Sequence, residues 1–208
     1  MVLVSHKYKF IYIKNKKVAG TSVESFFGKY CNNPNKPYYY TDHISESIDE
    51  YGIIGSRTSG KTFFDIWTNH MPATKIKNLL GNKIFNNYIK FCVSRNPYDK
   101  MVSRYYWNNS KENFKDFCKK TNVSNLDIHS INNKSVCNYF IRYENLENDI
   151  IELCKLLNIS DYNIKLLPHH KSGYRNNNKH YREYYDNETK QIVYQNHKEE
   201  FDVLGYTF

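Results

Sequence analysis

Three segments of this 208-residue chain share one plan, and that plan constrains the fold more than any other feature of the sequence. The first, YKFIYI at 8–13, is β-branched and aromatic, with Tyr8, Phe10 and Tyr12 on one side of an extended chain. The loop KNKKVAG follows, and then TSVESFFGKY, where Thr21 and Glu24 have the spacing of a helix capping box and Val23, Phe26 and Phe27 begin an apolar face. The second segment, YIKFCVS at 88–94, runs into RNPYDKMVSRYYW, with Asn96 placed to cap a helix and Pro97 at its first position. The third, NYFIRY at 138–143, runs into the amphipathic ENLENDIIELCKLLN. Strand, loop and helix in alternation predict an α/β fold with a mostly parallel sheet flanked by helices. Ligands in such folds bind where the loops leave the carboxyl ends of the strands. Residues 186–205 predict one C-terminal helix with an acidic first turn, Val193, His197 and Phe201 on one face, and Gly205 as its stop. Residues 28–66 and 168–181 read as long functional loops.

The length suits a single domain spanning 1–208, and no repeat or heptad divides it. The apolar runs are too short for a membrane span, and charges break the N-terminal segment too early for a signal peptide, so a cytoplasmic protein without a membrane partner is expected. The net charge of +9 calls for an anionic partner: nucleic acid, an anionic polysaccharide or a multiply phosphorylated cofactor. The five cysteines show no C-x-x-C pair and lie partly in apolar runs, which predicts reduced core residues. His169 and His170 are adjacent and lack partners at ligand spacing, so no metal is expected.

Two loops compete as phosphate sites. GSRTSGKT at 55–62 matches the pattern G-x-x-x-x-G-K-[ST] letter for letter, which would make Lys61 the phosphate lysine of an NTPase or kinase. Its context is poor: only the short YGII precedes it, and no apolar run ending in Asp follows to hold Mg²⁺. A Gly/Ser/Thr-rich surface loop with two solvated cations is the expected reading. KKVAGTS lies between a strand and a helix, with Lys17 at its start, a small-residue turn at Ala19–Gly20 and the hydroxyls of Thr21 and Ser22 at the helix N-terminus. That is the construction of an anion cradle, or of an ordinary capped turn beside a solvated lysine. In the second unit Arg95 precedes the cap, and Ser103 lies about two turns up the same side of the helix. Together they can grip a second phosphate, unless Arg95 is simply paired with Asp99.

YIKNKKVAGTSVE, NHMPA, CVSRNPYDKMVSRYYW, FIRYENLENDIIELCKLLNI and the ending HYREYYDNETKQIVYQNHKEEFDVLGYTF resemble, in order, the sulfotransferases that use 3′-phosphoadenosine 5′-phosphosulfate (PAPS), especially the heparan/chondroitin-type carbohydrate branch. The resemblance implies a P-loop-kinase-like fold and transfer of a sulfuryl group to a glycan hydroxyl without a metal. It implies that Lys17, Val18, Ala19, Gly20, Thr21 and Ser22 bind the 5′-phosphosulfate, with Lys17 neutralising the departing phosphate, and that Arg95 and Ser103 bind the 3′-phosphate. His70 resembles the base of a His-x-Pro motif, or is a structural histidine before ATKIKNLLG, with Glu24 and His43 as fallback bases. Tyr143 resembles a tyrosine that contacts adenine, and Lys171 and Arg175 lie where the family places a loop closing over the cofactor. Lys16 stands where many members of that branch carry Pro, which leaves the loop less stiff. Tyr38–Tyr40 and Tyr105–Trp107 offer sugar-stacking surface. The rival readings are the NTPase already described and a non-catalytic nucleic-acid binder, which would rest on basic charge and stacking tyrosines alone.

Overall fold

A computed structural model describes all residues except 42, 58–64, 169, 171–173, 176 and 178. Lys61 and Lys171 therefore lie outside the described residues. The chain opens with a hairpin of β1 (Leu3–Ser5) and β2 (Phe10–Tyr12), continues through α1 (Gly20–Phe27), and forms a second antiparallel pair, β3 (Ser47–Ile48) and β4 (Gly52–Ile54). Next come α2 (Ala73–Asn87), β5 (Ile89–Ser94), α3 (Pro97–Trp107), α4 (Phe114–Lys120) and α5 (Leu126–His129). A small hairpin of β6 (Ser130–Ile131) and β7 (Lys134–Ser135) leads to β8 (Tyr139–Arg142), α6 (Leu146–Leu156), α7 (Asn187–Asn196) and α8 (Lys198–Leu204).

The main sheet has the order β3-β4-β1-β2-β5-β8. Only β2–β5 and β5–β8, two of the five pairings, are parallel, so the expected mostly parallel sheet forms only in part. The other pairings are antiparallel, because β1 returns against both β2 and β4. Since β1 opposes both neighbours, β2 and β4 point the same way. The carboxyl ends of β4, β2, β5 and β8 thus share one edge of the sheet.

Both faces are covered. Phe10, Tyr12, Phe91, Val93 and Ile141 pack with Val23, Phe26 and Phe27 of α1 and Ile150 and Leu153 of α6. On the other face Ile11, Ile13 and Cys92 meet Ile76 and Phe85 of α2, Met71, Trp67 and Ile128. Two buried faces explain why these strands read as near-continuous apolar runs. A third cluster joins Tyr98 and Met101 of α3 to Phe117, Val193 and Phe201.

Three local expectations need correction. Thr21 and Glu24 do not form a capping box: the N-cap of α1 is Ala19, left-handed at φ 59°, with no side-chain hydrogen bond. Glu24 turns inward instead, to the Met1 amino group at 3.0 Å, Lys14 Nζ at 2.6 Å and the Arg57 guanidinium, because three buried cations outweigh one exposed N–H. The helix over 186–205 is broken at His197 (φ −127°) into α7 and α8. The break lets Glu200 turn to the buried Lys100, which it holds through both oxygens at 2.6 and 2.7 Å. Gly205 ends α8 at φ 68°, and Asn96 caps α3 by accepting from the Tyr98 N–H at 3.0 Å. All five cysteines are free thiols, four of them buried. Among the described residues no helix is long and apolar enough to cross a membrane.

Candidate active site

The carboxyl ends of β2, β5 and β8 open into a cavity of about 450 Å³. Lys17, Val18, Ala19, Gly20, Thr21 and Ser22 line it after β2, Arg95 and Ser103 after β5, Tyr143 after β8, and His70 closes it from the segment before α2. Residues that the sequence places in separate units are thus brought to one space. Lys14, Asn15, Lys16, Asn69, Arg104, Trp107, Leu146 and His170 complete the wall. Five of these side chains are cationic (Lys14, Lys16, Lys17, Arg95, Arg104), and no Asp or Glu is among the described lining residues.

The first loop folds tightly against its strand. A Cβ on Gly20 would lie 2.9 Å from the Tyr12 hydroxyl and 3.3 Å from the Asn15 carbonyl, while Tyr12 donates to the Gly20 carbonyl at 3.0 Å. Lys17 (φ 61°), Ala19 (φ 59°) and His70 (φ 55°) all occupy the left-handed region that non-glycine residues seldom adopt. Strain of this kind collects at ligand sites, where the surroundings over-determine it. Helix geometry leaves the N–H groups of Gly20 and Thr21 without intrahelical acceptors, facing the positive end of the α1 dipole. The Lys17 ammonium rests 3.9 Å from the Trp107 ring centroid, and the Lys17 carbonyl accepts from Arg95 at 3.3 Å. Ser22 Oγ accepts from the His170 N–H at 3.1 Å, so His170 roofs the first turn of α1.

The second loop is organised around Asp99. Its carboxylate takes Arg95 on one oxygen (2.8 Å from Nε, 2.7 Å from Nη2) and Arg175 on the other at 2.7 Å. The ion pair weighed against a ligand role for Arg95 is therefore present. It aligns the guanidinium, which also lies 4.0 Å over the Tyr143 ring. Arg175 reaches this cluster without lining the cavity.

His70 Nδ1 lies 3.0 Å from the Lys14 carbonyl. A carbonyl only accepts, so Nδ1 carries the hydrogen and Nε2 keeps its lone pair. Burial, aided by the neighbouring Lys14 charge, pushes the imidazole down to about 3, so it is neutral across the physiological range. Neither fallback base reaches the cavity wall: Glu24 is locked among its three cations, and His43 is exposed elsewhere. The proposed sugar-stacking tyrosines are largely engaged: Tyr40 stacks on His170 at 4.0 Å, and Tyr105 packs on Phe114 and Phe117. Tyr39 stays exposed, and Trp107 forms cavity wall. Trp107 lies one turn beyond Ser103 on α3, a spacing visible in the sequence; Lys14 and Asn69 carry no such signal.

The residues fit a doubly anionic nucleotide better than a metal-bound triphosphate. Backbone N–H groups with Lys17 on one side, and Arg95 with Ser103 on another, could each meet an anionic group, and no lining carboxylate is offered to a cation among the described residues. A model of the sulfotransferase family matches residues 1–207. A protein of Archaeoglobus fulgidus, described as an uncharacterized protein, is 33% identical over 102 residues, covering 44% of this chain and 85% of that protein. No solved structure matches.

Proposed function

The chain belongs to the sulfotransferase family, and from that premise we propose that it transfers a sulfuryl group from PAPS to a carbohydrate hydroxyl, releasing adenosine 3′,5′-bisphosphate. One observation supports this most: two anion-holding loops, distant in sequence, face one cavity with five cations and a neutral imidazole. When bound, PAPS supplies the sulfuryl group, whose bond to the 5′-phosphate breaks as the acceptor oxygen bonds to sulfur. Lys17 and the free N–H groups of α1 hold the charge that grows on the phosphate side, with Val18, Ala19, Thr21 and Ser22 shaping the cradle. Arg95 and Ser103 hold the 3′-phosphate, Tyr143 borders the adenine, and Arg175 helps fix Asp99 behind Arg95. His70 Nε2 takes the proton of the acceptor hydroxyl. A basicity near that of a carboxylate suits this role only once anionic cofactor and acceptor offset the surrounding cations and raise it. The net charge of +9 serves these anions rather than nucleic acid, and the free thiols fit a reducing compartment such as the cytoplasm.

The experiment is mass spectrometry of a hydroxyl-acceptor library, glycans included, incubated with PAPS and enzyme. Sulfated glycan is the expected product, and His70→Ala should cut its rate by roughly 10²–10⁴-fold while adenosine 3′,5′-bisphosphate still binds. Absence of transfer to every acceptor would overturn the reaction. Loss of nucleotide binding together with turnover would make His70 a structural residue.

A further inference from the structure

On the α2 side of the sheet, away from the anion cavity, three side chains distant in sequence converge. Cys92 on β5, His129 at the end of α5 and Cys137 just before β8 offer two Sγ atoms and a ring nitrogen, all within 4.8 Å of one another. Cys92 and His129 are fully buried, and Cys137 is half-buried. His129 Nδ1 is engaged by the Ser135 hydroxyl at 3.0 Å, whereas its Nε2 is buried with no hydrogen-bond partner. A polar atom orphaned this deep in the interior is uncommon and calls for a ligand.

We propose that Cys92, Cys137 and His129 form a structural binding site for zinc(II). Two thiolates and one imidazole are a donor set for thiophilic d¹⁰ cations, not for oxygen-seeking Mg²⁺ or Ca²⁺. Nε2 is the ligand nitrogen, since the Ser135 hydroxyl already fixes the ring through Nδ1, as metal-bound histidines are fixed. Binding replaces the two thiol protons: Zn²⁺ enters, two H⁺ leave, and two thiolates balance its charge. The buried site is then neutral, whereas Cu⁺ on the same ligands would leave one uncompensated negative charge. The half-exposed side at Cys137 gives a water access to the fourth coordination position.

The metal would join β5, the α5–β6 corner and the approach to β8. Cys92 is followed on β5 by Val93, whose carbonyl accepts from Asn15 Nδ2 at 3.0 Å. Asn15 lines the anion cavity, so the metal would brace its floor without touching reactants. The sequence expectation of no metal came from the adjacent His169–His170 pair. It could not see ligands spread over β5, α5 and the start of β8.

The test uses the full chain, stripped of metal by a chelator and kept reduced. It should bind one equivalent of Zn²⁺, measured by competition with a chromophoric chelator, with a dissociation constant of roughly micromolar or tighter. Co²⁺ in its place should give a thiolate charge-transfer band and the visible bands of tetrahedral cobalt. Both signals should vanish in Cys137→Ser and in His129→Gln. Cys137 is only half-buried, so its variant is expected to keep the fold by circular dichroism, and the wild-type cobalt spectrum needs no variant. Absence of stoichiometric binding by the reduced wild type would overturn the site. So would binding undiminished in Cys137→Ser, stoichiometric uptake of Cu⁺ but not Zn²⁺, or isolation only as a Cys92–Cys137 disulfide that takes no metal after reduction.

Discussion

The N-termini of α1 and α3 follow the two loops that line the cavity and are finished in opposite ways. α1 begins at a left-handed Ala19 with no side-chain cap and no acid in its first turn. Its first N–H groups and the positive end of its dipole lie at the cavity wall, where the described lining residues include no Asp or Glu. α3 is sealed: Asn96 caps it, Pro97 removes a donor, and Asp99 sits in the first turn. The Asn96 N–H itself donates to Glu144 at 2.7 Å. On the proposed reading, backbone donors would meet an anion at the first end, and side chains, Arg95 and Ser103, would do so at the second. A backbone cradle is suited to charge that develops during reaction, because it is already oriented. A side-chain grip set by an ion pair is suited to discriminating one nucleotide from another.

Of the two helix ends, the larger effect is expected at the open one. Lys17→Ala should lower turnover by roughly 10²–10³-fold, as loss of one preorganised electrostatic donor does, with less than a tenfold change in affinity for adenosine 3′,5′-bisphosphate. Steady-state rates with PAPS beside calorimetric titration of the product nucleotide check this. Equal losses in both would mean that Lys17 holds the ground state, and the contrast between the ends would collapse.

The sealed end should answer differently. Arg95→Lys keeps the charge but loses the fork that spans Asp99 and a phosphate. Affinity for adenosine 3′,5′-bisphosphate should fall by roughly 10–100-fold, the loss of one charged hydrogen bond. Affinity for adenosine 5′-phosphate, which lacks the 3′ group, should hardly change. If both nucleotides weaken together, Arg95 supports the loop and does not read the 3′-phosphate.

Two buried histidines sharpen the contrast further. His70 belongs to the cavity side, and His197, pushed down to about 4 by burial and the nearby Lys100, lies behind α3. Both are neutral when folded and titrate near 6.5 when unfolded. The unfolded chain therefore takes up protons first as pH falls, and stability present above about 6.5 is lost between there and about 4, by roughly 1.4 kcal/mol per pH unit for each histidine. Denaturant melts at pH 7, 6 and 5 measure the slope. Adenosine 3′,5′-bisphosphate should raise the pKa of His70, seen by NMR, and leave His197 unmoved. A shift of both, or of neither, would remove His70 from the anion's neighbourhood.

What the sequence disclosed follows the same division. β2, β5 and β8, with α1, α3 and α6, were legible because each unit carries its own periodicity and its own turn or cap chemistry. Asn96–Pro97 and Gly205 act within a few residues of themselves, so their signals survive without tertiary context. β1 and β4 are three residues each, held by pairing with neighbours, and LVS or GII carries no period to read. The Thr21–Glu24 box failed because the cations that capture Glu24 arrive from Met1, Lys14 and Arg57, two of them outside the unit. For the same reason the loops that line the cavity could be picked out, while Asn69, Arg104 and the resting place of Lys17 on Trp107 could not.

The smallest expected effect concerns Lys61, in the stretch that spells a nucleotide loop. Its neighbours Gly55–Arg57 follow β4, which runs in the same direction as β2, so the segment leaves the edge of the sheet where the cavity lies. Position alone therefore does not dismiss it. Chemistry does: the cavity already holds a strand-to-helix loop, its lysine and an open helix end after β2, and Arg57 is committed to the buried Glu24. On the proposed reading Lys17 already neutralises the departing phosphate, which leaves that role closed to Lys61. Lys61→Ala should then leave kcat within about threefold of wild type, as for an exposed charge. Any larger change should fall on KM for the acceptor and fade as ionic strength rises, because rim electrostatics are screened by salt. A Lys61 variant without turnover, beside a Lys17 variant that retains it, would transfer the catalytic role from the loop after β2 to the one after β4.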